Sequence, residues 1–459
     1  MGAGTAQRGA CLLISGKVRK NMEFVVFAGV LLLLFIFMIV QELIQTKNQE
    51  KLFKKYLREN YGKEPPKEYS LERFARLGSY LERHKEEKQL DDITWNDLGM
   101  DEVFRRIDRT YSAAGEEYLY YTLRNISCGR EALEHLEEVV NWLQEQENIK
   151  VRIQLLMKRL GHLGKYSLYD YLDNLDYLGE RSNRKIVLGN LLYLPFLLLL
   201  FVQPAMGTIG IVLCMLWHIM TYFREKKVIE PYIISFAYVL RLIDVCEELE
   251  KQKIPVYRRE LDELREVLKS LRELRRGAYW VMAGNQGKIG GNPLDILADY
   301  LRMILHLDIF QFNRMLEKLR KKTGQVETML AITGYLDMAI SVGGFRKSLE
   351  GYCIPKLEED TEKAFLHMKK GWHPLLSQPV KNSIRADRGI LLTGSNASGK
   401  STFLKMVAVN AVLAQTIHTC AAESYHAPIF QIFSSMALRD SMENGESYYI
   451  CLLYTSDAA

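Results

Sequence analysis

Hydrophobic positions along this chain fall into two kinds of pattern. In three places they run together without a charge: Phe24–Val40 (FVVFAGVLLLLFIFMIV), Ile186–Val202 (IVLGNLLYLPFLLLLFV) and Thr208–Phe223 (TIGIVLCMLWHIMTYF). At 1.5 Å per residue each run spans about 25 Å as a helix, near the lower limit for a bilayer core. The spacing predicts transmembrane helices, the second and third forming a hairpin over 186–223 across the uncharged connector QPAMG. A buried core helix is the alternative for the hairpin, and a cleaved signal peptide for the first run, although no small-residue cleavage site follows it. Asn190 and His218 stand out as polar in the hairpin. A pore or transport path needs more inward-facing polar groups, so the segments read as anchors.

Elsewhere apolar residues recur at helical spacing. ELDELREVLKSLRELRR places Leu261, Leu264, Leu268 and Leu271 on one stripe, which reads as ordinary core packing of a long helix. Helical patterns dominate from Trp95 to Arg184 and again after the hairpin, and near Gly371 they give way to short strands and turns. A charged stretch from Gln45 to Thr94 reads as juxtamembrane helices broken at Pro65–Pro66. The expected organisation is an N-terminal segment (1–44, transmembrane helix at 24–40), a charged linker (45–94), a helical domain (95–185), the hairpin (186–223), a second helical part (224–362) and an α/β domain (363–459). The fold class is mainly α, with transmembrane helices ahead of an α/β domain.

Charge sets the topology. Arg181, Arg184 and Lys185 precede the second run, and Arg224, Lys226 and Lys227 follow the third, so both ends of the hairpin belong on the positive, cytoplasmic side. Lys47, Lys51, Lys54, Lys55 and Arg58 place the residues after the first run there too. Arg8, Lys17, Arg19 and Lys20 oppose that assignment, a conflict that a start at Met22 would remove. A multi-pass membrane protein with cytoplasmic soluble parts is expected. The net charge of +5 permits nucleic-acid contact without demonstrating it. Basic clusters at Arg275–Arg276, Lys318–Lys322 and Lys369–Lys370 read as solvated faces. The 7 cysteines form no C-x-x-C pair and no zinc spacing, which suits reduced thiols.

The chemistry concentrates in GSNASGKST, where Gly394, Gly399, Lys400 and Ser401 fill G-x-x-x-x-G-K-[ST]. Glycines let the backbone turn tightly and aim several N–H groups at one phosphate chain, and the following helix adds its N-terminal dipole. Lys400 is expected to reach the β/γ-phosphates of ATP, with Gly394–Thr402 cradling them and the Ser401 hydroxyl on Mg²⁺. GILLT (389–393) reads as the strand before the loop. Ser401–Thr416 reads as the helix after it, with Phe403, Leu404, Val407, Ala408 and Ala411 near one face.

Four segments together resemble the MutS family of ATPases, known for DNA mismatch repair. RIDRTYSAAGEEYLYYTLR (Arg106–Arg124) is similar to a helical-core motif with a Thr, a Gly five residues on and a Leu-rich helix. GYLDMAISVGGF (Gly334–Phe345) resembles the helix running from core to ATPase, with Leu336, Asp337 and Ser341 in matching places. YCIPKL with GWHPLL, and LLTGSNASGKSTFLKMVAVNAVLAQ with Asn396 two residues past the first loop glycine, complete the set. A fifth, DSMENGES (Asp440–Ser447), is similar to a segment that reaches across a dimer to the partner's γ-phosphate. The resemblance, over roughly 95–450, implies a homodimer with ATP and Mg²⁺ sandwiched between protomers. Gly394, Asn396, Gly399, Lys400, Ser401 and Thr402 would then bind the nucleotide, Ser401 the metal, and Ser447 would act in trans beside Lys400. DNA is the implied partner.

Departures qualify this. The family's mismatch-reading N-terminal domain has no counterpart, and a membrane hairpin stands where a DNA clamp usually interrupts the helical core, so direct mismatch reading is not expected. The family pattern should continue past Ser447 to a strand ending in Asp-Glu that holds Mg²⁺ and orients water; from about Cys451 the sequence departs from it. Nucleotide binding without hydrolysis is therefore expected of the chain as written, and ATPase activity of a full-length protein. The alternative function is an ATP-driven membrane machine, or a scaffold, that binds no DNA.

Overall fold

A computed structural model describes residues 37, 40–41, 44–63, 69, 71–85, 88–126, 129–163, 167–272, 300–359, 364–395 and 399–436. Most of the transmembrane segment expected at 24–40, the Pro65–Pro66 break and Arg275–Arg276 lie outside them. The chain divides into two units, 1–61 and 62–459. The described part of the first includes a helix over 44–60, mostly exposed apart from the buried Leu57, carrying a Glu50–Lys54 pair at 2.6 Å one turn apart.

The second unit is mostly helical with a small sheet. Its helices are α1 (Leu71–Arg83), α2 (Asp92–Leu98), α3 (Met100–Ile107), α4 (Ala113–Arg124), α5 (Gly129–Glu145), α6 (Glu147–Leu160), α7 (Leu168–Asp173), α8 (Arg184–Leu191), α9 (Tyr193–Val202), α10 (Pro204–Glu250), α11 (Arg258–Leu271), α12 (Leu307–Arg320) and α13 (Thr323–Ser348). Then follow β1 (Lys356–Glu358), β2 (Leu366–Gly371), β3 (Asn382–Ala386), α14 (Lys400–Ile417) and β4 (Ser424–Pro428). The sheet order is β1-β4-β2-β3, with β1 parallel to β4 and the other pairs antiparallel.

The core forms around α13, a helix that is apolar on nearly every side. Such a helix must be enclosed, and α4, α5, α6, α10 and α11 pack around it. By length and composition α13 could cross a membrane, but 83% of its most apolar window is buried inside the protein, against 6% for Arg184–Val202 and 28% for Pro204–Glu230. Those two figures separate a core helix from a hairpin whose apolar surface is mostly left uncovered by the described residues. The stripe Leu261, Leu264, Leu268 and Leu271 is buried against this core, as its spacing predicts.

Two of the sequence motifs meet where α4 crosses α13. Ser112 caps α4, its Oγ accepting from Gly115 N at 3.1 Å. Asp337 of α13 accepts from Ser112 N at 2.8 Å, Ser112 Oγ at 2.6 Å and Tyr111 N at 3.0 Å. Ser341 Oγ accepts from Arg109 N and donates to Ile107 O, both at 2.8 Å. The crossing is tight enough to require glycine. A Cβ on Gly115 would lie 2.4 Å from Asp337 Oδ2, and one on Gly334 would lie 2.6 Å from Ala114 O.

Three expectations change. The connector QPAMG is not a loop: the hairpin turns at Gln203 and α10 starts at Pro204, a residue suited to the first helical position because its missing N–H would be unpaired there anyway. The two arms then pack at Gly207 and Gly210, where a Cβ would lie 2.6 Å from Leu200 N and 2.1 Å from the Phe196 ring. No boundary falls at 223/224, because α10 continues for 47 residues, about 70 Å at helical rise, from the apolar arm into the core. Charges at Arg224, Lys226 and Lys227 do not break a helix, and Pro231 removes one backbone hydrogen bond without ending it. The third change concerns GILLT. Residues 389–393 form no strand, and Ile390 and Leu391 are exposed. None of the described strands pairs with this segment.

Candidate functional site

The loop Gly394–Thr402 ends at the N-terminus of α14, an 18-residue helix. Gly399 has φ 85°, the left-handed region that a glycine enters without penalty, and this turn directs the first helical N–H groups outward. Lys400 folds back over the loop: Nζ donates to Gly394 O at 2.7 Å and Ser395 O at 2.6 Å. Ser401 and Thr402 sit exposed on the first turn. Thus Gly394, Gly399, Lys400, Ser401 and Thr402 come together, while Asn396 and Ser447 lie outside the described residues. The arrangement gathers an ammonium, a helix N-terminus without an acidic residue in its first turn and a free-facing hydroxyl. That donor set suits a phosphate chain, and Ser401 offers one oxygen to a Mg²⁺ that phosphate oxygens would otherwise ligate.

The buried face of α14 differs from the expected one. Leu404 is exposed, whereas Met406, Val409, Asn410 and every residue from Ala411 to Ile417 are buried. Asn410, a polar residue that periodicity cannot place, anchors the helix: Nδ2 donates to Trp372 O at 3.0 Å and Met406 O at 2.8 Å, and Oδ1 accepts from Ala421 N at 2.7 Å. Gln415 makes a reciprocal pair with the Phe430 backbone at 3.0 and 2.8 Å.

At its other end α14 meets Arg346 of α13. This guanidinium, 1% exposed, donates to Thr419 Oγ1 at 2.8 Å, to His418 O at 3.0 Å, and bidentately to Glu137 of α5 at 3.0 and 2.7 Å. A buried cation at a helix C-terminus satisfies the last carbonyls and complements the dipole. Burial works to raise the Glu137 carboxyl, but the His418 ring 3.5 Å away and Arg346 outweigh it and hold it down at about 2. Sequence reasoning missed this junction. Its partners are far apart along the chain, and only the family-like segment ending at Phe345 lay nearby. Lys369 and Lys370 lie on an exposed face, as expected, and both pair with Glu423, at 2.8 and 2.9 Å; in the cluster at 318–322, Arg320 binds the carbonyls of Leu175 and Gly179.

Residues 390–455, which begin at this loop and take in Ser447, match the family model MutS domain V. This segment is therefore similar to the MutS family. The chain is 31% identical over 145 residues to a DNA mismatch repair protein MutS of Acholeplasma laidlawii, a match covering 30% of this chain and 17% of that protein. It is 28% identical over 147 residues to the MutS of Pseudothermotoga lettingae (30% and 18%), and 30% identical over 159 residues to that of Leptospira interrogans (32% and 18%). The MutS match therefore spans less than a fifth of the length of these relatives. It also runs past Cys451, where the sequence alone suggested that the family pattern breaks off.

Proposed function

We propose that this MutS-family chain is a membrane-anchored ATP-binding protein whose helical core couples nucleotide state to DNA. In this reading 363–459 belong to an α/β ATPase domain of phosphate-loop type. The helical parts 95–185 and 224–362 form the core and lever, and the hairpin interrupts them. The observation that carries it is the Lys400 ammonium held over the carbonyls of Gly394 and Ser395 at the start of α14, inside the family-matched segment. Backbone N–H groups of the first turn and Lys400 would hold the β/γ-phosphates, and Ser401 would ligand Mg²⁺. Bound Mg²⁺ would supply charge neutralisation between the phosphates. Asn396 would shape the loop and Thr402 would add an N–H. Ser447 of a second protomer would close the site, making the active unit a homodimer.

DNA enters by analogy with the relatives, which are named as DNA mismatch repair proteins. By the same analogy the DNA form would be a mismatched or branched duplex. The hairpin 186–223, apolar and largely uncovered, supports a multi-pass membrane location with the nucleotide site on the cytoplasmic side. Binding of a fluorescent ATP analogue to the detergent-solubilised protein tests the nucleotide reading. Wild type should bind in a Mg²⁺-dependent way and Lys400→Ala should lose at least tenfold in affinity; equal affinity of the two would contradict it. Nucleotide binding without any DNA binding would favour the ATP-driven membrane machine or scaffold.

A further inference from the structure

Cys353 and Cys420 face one another across an isolated antiparallel bridge. Their backbones exchange both hydrogen bonds, Cys353 N to Cys420 O and Cys420 N to Cys353 O, each 3.0 Å. Residues paired in this way have Cα atoms about 5.5 Å apart. Disulfides form where Cα atoms are roughly 4.4–6.8 Å apart with side chains directed at each other. Both thiols are free, and each perturbs the titration of the other. Cys420 is fully buried and also donates to Asn410 O at 3.5 Å, whereas Cys353 is partly exposed.

We infer that Cys353 and Cys420 are a redox-active pair that closes reversibly to a disulfide. The two residues divide the labour. The neighbouring Cys420, with the Tyr425 backbone, holds the Cys353 thiol below its ordinary range, and burial pushes Cys420 well above it. Cys353 is thus the accessible, thiolate-forming partner and Cys420 the resolving one. With hydrogen peroxide as oxidant, the Cys353 thiolate attacks one peroxide oxygen and the O–O bond breaks. An S–O bond forms, hydroxide leaves, and a sulfenic acid remains. Cys420 Sγ then attacks the Cys353 sulfur; the S–S bond forms, the S–O bond breaks, and the departing oxygen leaves as water with the Cys420 proton. The two sulfurs supply the two electrons that reduce the peroxide.

The position gives the bond a consequence. Cys353 lies on the segment between α13 and β1, and Cys420 lies just beyond the end of α14. The disulfide would staple the exit of the central core helix to the helix that carries the phosphate loop. It would act beside the Arg346 junction, which joins the same two helices non-covalently.

The experiment is peptide mapping of the full chain in detergent. The protein is treated with hydrogen peroxide at neutral pH, then alkylated and digested without reductant. The expected result is a linked peptide pair joining Cys353 to Cys420 that disappears after dithiothreitol. Cys353→Ser and Cys420→Ser should each abolish that pair, and Cys420→Ser should let the Cys353 sulfenic acid be trapped with dimedone. Three results would overturn the inference: both thiols still alkylatable after peroxide, Cys353 oxidised to sulfinic acid in wild type without a cross-link, or cross-linking of Cys353 to another of the 7 cysteines instead.

Discussion

At the scale of the residue, buried polar groups decide where this fold is strong and where it responds to pH. Glu117 on α4 is buried and accepts a hydrogen bond from Ser167 Oγ at 3.0 Å. Burial, first of all, pushes its carboxyl up to about 8. The unfolded value is about 4.3, so between those limits the folded state binds the extra proton. Stability linked to this group is present below about 4.3 and is lost as pH rises through about 8. Glu117→Gln should flatten the denaturation midpoint across that window and raise stability at pH 8; an unchanged pH profile would show that Glu117 does not titrate there. Asp337 is the opposite case, a buried carboxylate fully used by Ser112 and the Tyr111 backbone. Asp337→Ala strands those donors inside the core and should cost about 2–4 kcal/mol, read as a shift of the urea midpoint. A loss below about 1 kcal/mol would mean that water replaces the carboxylate.

At the scale of the element, what could be read from the chain depended on whether the signal was local. The hairpin arms were legible because a long uncharged run is rare in a water-facing helix. Their turn was misplaced because Pro204, which looks like a breaker, is a good first residue of a helix. The face of α14 was misread because Asn410 and Gln415 are buried for their hydrogen bonds, not their hydrophobicity. Thr110, Gly115, Asp337 and Ser341 could be picked out by resemblance, yet only the α4–α13 crossing explains the residue types. Glycine is demanded there by atoms 2.4–2.6 Å away, contributed by a helix more than two hundred residues distant in sequence. The hairpin carries its own prediction. Gln203→Cys at the turn should react with a membrane-impermeant maleimide in right-side-out vesicles, while the native Cys353 should react only in inverted ones. Labelling of both on the same side would remove the hairpin from the membrane. Gly210→Val drives a side chain into the Phe196 ring and should destabilise the arm packing by roughly 1–3 kcal/mol, measured as thermal unfolding in detergent; an unchanged midpoint would mean that the arms separate freely.

At the scale of the whole molecule, α10 joins the apolar arm to the core without a break, and the Arg346 junction joins the core to α14. The loop at 394–402, the helical core and the apolar hairpin are thereby linked through packed helices, which is the physical basis for the proposed coupling of nucleotide state to the core. Arg346→Leu, which leaves Glu137 without its bidentate partner, should uncouple the two ends before it abolishes nucleotide binding. The expected readout is a retained affinity for ATP within about threefold, and DNA binding that no longer responds to it. Free-energy coupling of this kind between sites is usually about 1–3 kcal/mol. The measurement that tests the account most directly is DNA binding by the complete, detergent-solubilised protein. Matched, mismatched and branched duplexes would be compared with and without ATP over a salt series, with Lys400→Ala alongside. The account predicts binding that ATP modulates at least fivefold, a preference for one DNA form, a salt slope that reports phosphate contacts, and no ATP response in Lys400→Ala. Intact nucleotide binding with no DNA binding at low salt would contradict it.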